Sequence, residues 1–304
     1  MTVAELKREV LVRHLEAWAP GALRRARRAT YVHGYADADG GALAEAALRV
    51  FVEQSDLVRG RELTVVAVGE DVGGVSARLD GVHRGAGAGL VVHTVPGGTA
   101  DRLGVALKAV GAARVPLLGF LDASAASDPP GPAAVGALAA GRPAEALLVL
   151  PPRAVTAVNA YRDGLREVGF SLVAAVELAT GDDPGELLVF ATTAGKSLEG
   201  FKETLWAVDE FAGVRYRDPG DPERHLIDIS LTPHPGPLKR ELLGHLTAVG
   251  EATVTDLRTY ALTETVYRAT DATRVLQTLL TAGVVTRQPD QGRLGGDVVI
   301  AAAG

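Results

Sequence analysis

The chain contains no cysteine. That excludes disulfides, thiolate metal sites, cysteine-held iron–sulfur clusters and a cysteine nucleophile. No apolar run reaches ~18 residues, and the N-terminus lacks a signal-peptide core, so no membrane span is expected and the chain reads as soluble and cytoplasmic. An excess of positive charge is missing as well. Lys+Arg is 31 against Asp+Glu 37, a net charge of -6, which argues against a surface coated for general DNA or RNA binding. There is no Walker A sequence, no G-x-S-x-G elbow and no internal repeat. His33, His83 and His93 match no ligand spacing, so no metal site is expected. The single methionine and the Ala, Gly and Arg richness read as a high-GC coding bias with little chemistry in it.

What is present is a globular composition, 47% hydrophobic and 22% charged, which rules out wholesale disorder. A length of 304 residues suggests two domains, or one with an appendage. Thr2 to Trp18 is helical by period, with Val3, Leu6, Val10, Leu11, His14, Leu15 and Trp18 on one stripe, and Pro20-Gly21 is expected to break it. Ala29 to Val32, Leu63 to Val68, Leu90 to Val95, Val115 to Leu121 and Ala146 to Leu150 are continuous apolar runs. Helical segments alternate with them, near 42–54, 75–79, 103–110, 133–140 and 156–168. That alternation predicts a parallel sheet covered on both faces, with its ligands at the strand C-terminal edge.

Ser171 to Leu178 and Glu186 to Thr193 are then separated by a link too short for a crossover helix, so they must be antiparallel. Five βα units closed by such a hairpin are the strand inventory of a Rossmann-like class I methyltransferase sheet of seven strands. A helix over 196–211 follows. The proline-rich stretch from Gly213 to Pro237 reads as a linker. Beyond it, helices are expected at 238–249, through Tyr260 with Thr255 as N-cap, and at 270–282, followed by a hairpin. That is winged-helix order. The expected division is 1–212 for the methyltransferase-type domain, 213–237 for the linker and 238–304 for the winged-helix-like domain.

The first strand-to-helix turn, from Gly34 to Gly41, is where a nucleotide-type ligand meets backbone, and glycines serve that approach because they lack Cβ. Here the glycines are displaced and carboxylates sit mid-loop. One reading makes Gly34, Tyr35, Ala36 and Asp37 a modified S-adenosylmethionine loop; the other makes this a solvated acidic turn. Glu70, just past the second strand, can accept the ribose hydroxyls of a nucleoside, with Asp71 as fallback. Asp122 ends the fourth strand, where an acceptor would lie and where a catalytic role is possible; the plainer role is a helix N-cap beside Ser124, Ser127 and Asp128.

Residues 1–35 hold seven basic residues, including the Arg24 to Arg28 run, against three acidic ones. A solvated face is the ordinary meaning of such a run, and a phosphate or acidic partner is the other. Residues 236–304 hold seven basic and seven acidic residues. Phosphate neutralisation needs excess cations, so protein contact or homodimerisation is favoured over DNA for this part.

Taken together, these motifs resemble the three-Cys-motif partner protein family over nearly the whole chain. Leu15-Glu16-Ala17-Trp18 resembles its opening helix. Its first-strand signature, roughly D-x-F-A-G-P-G, corresponds to His33 through Asp39. Tyr35 and Ala36 fit, His33 replaces the acid, and Asp37 and Asp39 replace both glycines. Its F-x-D-P-F-G corresponds to Phe120 through Ala125, with only Phe120 and Asp122 kept. Glu70, the strand Leu188 to Thr193, and Gly200 to Trp206 with its Lys202 and Trp206 fit well. The resemblance implies a methyltransferase-like scaffold, S-adenosylmethionine as the ancestral ligand, and a partner protein resembling radical-adenosylmethionine enzymes. Because both ligand-edge signatures are eroded, the leading expectation is a divergent, non-catalytic relative acting as a binding module. An active S-adenosylmethionine-dependent methyltransferase and a winged-helix DNA-binding regulator are the alternatives.

Overall fold

A computed structural model of the chain describes residues 2–303 apart from 55, 57, 58, 88, 180, 213, 214, 222 and 228–235, and leaves aside the side chains of 209–212. The first helix, α1 (Val3–Arg25), does not stop at Pro20. Proline lacks the N–H that would bond the Glu16 carbonyl one turn back. That carbonyl accepts instead from Gln54 Nε2 at 3.3 Å. The apolar stripe therefore continues unbroken through Ala19, Ala22 and Leu23, all buried.

The alternating pattern becomes β1 (Arg28–Gly34), α2 (Ala42–Glu53), β2 (Glu62–Gly69), α3 (Gly73–His83), β3 (Leu90–Pro96), α4 (Thr99–Ala109), β4 (Leu117–Asp122), α5 (Pro132–Val135), β5 (Ala144–Leu150), α6 (Val158–Glu167), β6 (Leu172–Ala179), β7 (Glu186–Thr192) and α7 (Gly195–Ala212). The expected helix over 133–140 is only the short α5 followed by a 3-10 turn.

Sheet order is β3-β2-β1-β4-β5-β7-β6, with two further short strands at the β6 edge. β1 to β5 are mutually parallel, and β7 runs antiparallel to both β5 and β6. Of these seven strands only β7 is reversed. The five parallel strands and the antiparallel β6–β7 pair are those expected from the apolar runs and the short hairpin link. Alternation along β1 sends Tyr31 into the core shared with α1, α2 and α7, and Val32 into the core on the opposite face with α4 and α6. Both faces are thus dry, which is why the strands read as continuous apolar runs.

The stretch read as a linker departs from that reading where it is described. β8 (Arg215–Arg217) pairs antiparallel with β6, and β9 (Leu226–Ile227) pairs with β8. The cause lies in Glu177, a buried carboxylate on β6 that needs a cation. Arg217 supplies one at 3.1 Å and Arg224 another at 2.8 Å. Residues 213, 214, 222 and 228–235 of this stretch lie outside the described residues.

The remaining elements are α8 (Gly236–Val249), β10 (Glu251–Thr253), α9 (Val254–Glu264), α10 (Ala269–Thr281), β11 (Val285–Gln288) and β12 (Val299–Ala302), with the strands in the order β10-β12-β11. Thr253, not Thr255, caps α9. Its hydroxyl accepts from the Asp256 N–H at 3.1 Å, and the Asp256 carboxylate returns to the Thr253 N–H. Thr255 lies inside the helix, with its hydroxyl on the Gly296 carbonyl. The last carbonyls of a helix lack partners of their own. At the end of α9 they receive donors from the large sheet's helices. Arg162 donates to the Thr263 carbonyl and Lys202 to that of Thr265. The Trp206 indole donates to Val266 O at 3.2 Å, under the Arg268 guanidinium. The Lys202 to Trp206 segment is therefore the clamp between the two parts of the molecule.

Candidate functional site

β1, β2, β3 and β4 end together on one edge of the sheet, where Gly34, Glu70 and Asp122 lie. Gly34 faces a filled space. A Cβ there would stand 2.4 Å from Leu121 Cδ2 and 2.5 Å from Thr99 Cγ2. Thr99 comes from the first turn of α4, and its hydroxyl accepts the Tyr35 N–H at 2.7 Å. Tyr35 then adopts the left-handed conformation, φ +55, which costs a non-glycine residue about 1 kcal/mol. The Thr99 bond before it and the Ala36 N–H bond to Val68 O at 2.9 Å after it hold the turn in place. The half-buried Tyr35 hydroxyl is pushed up to about 12 by burial, with Asp128 adding to it.

The two carboxylates that replace glycines both turn back onto the chain's own backbone. Asp37 accepts the Asp71 N–H at 2.9 Å. It lies so close over β2 that a Cβ on Gly69 would be 2.3 Å from its Oδ1. Asp39 accepts the N–H groups of Gly41 and Ala42, each at 3.0 Å, and of Leu43 at 2.8 Å. These are the amides that open α2, the positive end of its dipole. Gly41, at φ +87, lets the chain enter the helix there.

Glu70 is exposed, and its Oε1 lies over the backbone of Gly98 at the end of β3. Asp71 is exposed too, and its carboxylate accepts the Gly73 N–H that begins α3. The structure thus brings Gly34, Tyr35, Ala36, Asp37 and Glu70 together along the β1–β2 crevice, with Thr99 and Asp37 packed inside it.

Asp122 is buried at the end of β4. One oxygen accepts both the N–H and the hydroxyl of Ser124, at 3.1 and 2.6 Å; the other pairs with Lys7 Nζ at 2.9 Å. Lys7 reaches across from α1 and also meets Glu186 at 3.1 Å. Burial opposes the charge on Lys7, but the two carboxylates outweigh it and raise its pKa above the ordinary lysine value. Beside them His33 is fully buried, with Nδ1 on the Tyr31 hydroxyl at 2.8 Å. Burial holds its pKa down at about 4 against the pull of Asp39 and Asp122, so it is neutral at pH 7. His33 is thus neutral and enclosed, and Asp122 is tied to a cation and a hydroxyl.

Two residues that shape the crevice escape sequence reasoning. Thr99 carries no signal beyond following Gly97-Gly98 at a strand end. Lys7 reads as one cation among several on the polar side of an amphipathic helix. Among the described residues no cluster of His, Asp and Glu has the makings of a metal site, and no helix is long and apolar enough to cross a membrane.

No protein-family model matches the chain, and no curated protein matches it by sequence. Among solved structures, the chain is similar to human methyltransferase-like protein 13 in complex with SAH, with 19% identity over 66% of this chain and 91% of that one, at a TM-score of 0.41. It is also similar to the B. subtilis M1A22 tRNA methyltransferase TrmK, with 11% identity over 89% of this chain and 93% of that one, at a TM-score of 0.33.

Proposed function

We infer that the chain is a divergent class I methyltransferase-like protein of the three-Cys-motif partner type, whose hold on S-adenosylmethionine is weakened or lost, and which acts with a partner protein. The observation that carries this reading is the placement of Asp39. Its carboxylate occupies the three amides at the start of α2, the place where such a fold would offer bare backbone to an anionic ligand group. Asp37 fills the neighbouring approach over Gly69. An incoming carboxylate at ~4 Å from either side chain meets a repulsion of about 1–4 kcal/mol, or roughly ten- to a thousandfold in affinity. Asp37 and Asp39 stand where the ligand's carboxylate would approach, so the residues as arranged do not fit it.

We infer further that the C-terminal part, 238–304, is winged-helix-like and serves as a protein-contact element. Of its two hairpin arginines, Arg287 donates to the carbonyls of Pro289, Gln291, Gly292 and Arg293 in its own loop, which leaves only the exposed Arg293 for phosphate there. Isothermal titration with S-adenosylmethionine tests the reading. The expected result is no saturable binding to the native chain and measurable binding to the Asp37→Gly/Asp39→Gly variant. Tight binding by the native chain would refute the weakened hold and favour the active methyltransferase instead. Unchanged absence of binding in the double variant would count against the two carboxylates as the cause.

A further inference from the structure

On the opposite edge of the sheet, at the N-terminal end of β5, a cavity of about 140 Å³ opens between α1 and α7. Its wall holds a buried polar cluster that the crevice does not use. Glu145 accepts the Ser197 hydroxyl at 2.7 Å and meets His14 Nε2 at 3.1 Å. His14 and Glu145 are almost fully buried. Trp18 lines the same cavity, is itself 6% exposed, and its indole N–H has no hydrogen-bond partner among the described residues. Two exposed cations, Arg25 and Lys196, stand where the cavity meets solvent, with no ion pair of their own among the described residues.

Two glycines complete the site. Gly21 and Gly200 lie inside α1 and α7 and both line the cavity, and a Cβ on either would meet nothing within 4 Å. Glycine weakens a helix interior, and here no neighbour demands it. Both glycines leave the space they border unfilled.

We propose that this cavity is a binding site for a small carboxylate with a flat apolar body of benzoate size. A cavity of ~150 Å³ is known to take one benzene ring, which sets the size of the body. The buried Glu145 repels a second carboxylate from the floor, and Arg25 with Lys196 attracts it at the mouth, which sets the orientation.

Benzoate is the probe, titrated calorimetrically into the full chain, with benzyl alcohol as its uncharged counterpart. The expected result is one saturable site with Kd below about 1 mM, weakened at least ~10-fold in Arg25→Ala/Lys196→Ala and for benzyl alcohol. Gly200→Leu and Gly21→Leu should each abolish binding while the melting temperature holds or rises, because each replaces a helix glycine and grows into empty space. No saturable binding up to about 10 mM benzoate would overturn the proposal. So would binding that survives both leucine variants, or binding as strong for benzyl alcohol.

Discussion

Lys202 is an enclosed amine, 1% exposed, in the clamp between the two parts of the molecule. Burial, with Arg162 adding to it, brings its pKa down to about 7 against the opposing pull of Asp218 and Glu264. In the unfolded chain its pKa is the ordinary ~10.4. Below pH 7 both states hold the proton. Between about 7 and 10 the unfolded chain still holds it and the folded chain has released it, so the unfolded state binds more protons and stability rises with pH. Each unit is worth ~1.4 kcal/mol, so from pH 7.5 to 9.5 this one group contributes about 2 kcal/mol.

The substitution Lys202→Met keeps the length and removes the titration. It also strands the Thr265 carbonyl that Lys202 serves, but that loss is the same at both pH values and cancels in the difference. Asp218, raised to about 6 mainly by burial, titrates mostly below the window. Scanning calorimetry of both proteins at pH 7.5 and 9.5 should show the native chain gaining about 4 °C on the variant across that interval. Parallel pH dependence in the two proteins would mean that Lys202 keeps its proton in the fold, and the reasoning would fail.

Asp39→Ala should lower stability by about 1–2 kcal/mol, because the start of α2 loses its carboxylate cap, and a melting curve that does not move would remove Asp39 from that role. Gly34→Ala should cost about 1–3 kcal/mol, since its Cβ must displace Leu121 and Thr99, and a urea midpoint equal to that of the native chain would show the space to be free. Lys7→Met and Asp122→Asn, combined in a double-mutant cycle, should show a coupling of about 1–3 kcal/mol, whereas strict additivity would deny the buried pair.

The scaffold was legible because its signals are local. Strands buried on both faces must be apolar throughout, as in Leu63 to Val68, and a six-residue link forces β6 and β7 to run in opposite directions. The misses share a cause as well: a partner remote in sequence overrode the local rule. Pro20 should end α1, yet Gln54 takes the orphaned carbonyl. The proline-rich stretch should be a linker, yet the buried Glu177 draws Arg217 and a strand with it.

The crevice divides in the same way. That Gly34, Asp37, Glu70 and Asp122 stand at strand ends follows from the pattern alone, since strand C-termini share one edge. What each carboxylate does there does not follow, because Asp37 and Asp39 could equally have turned outward to attract a ligand's ammonium. Their direction is decided by backbone amides. Asp71 N–H lies 34 residues from Asp37, and the amides of 41–43 point at Asp39 only once α2 has formed. A carboxylate that satisfies three helix amides is held by the same groups that would hold a ligand anion. On the proposed reading, an anion at the start of α2 would have to displace Asp39 first, so the strength of the α2 cap and a weakened hold on the ligand would be two readings of one interaction.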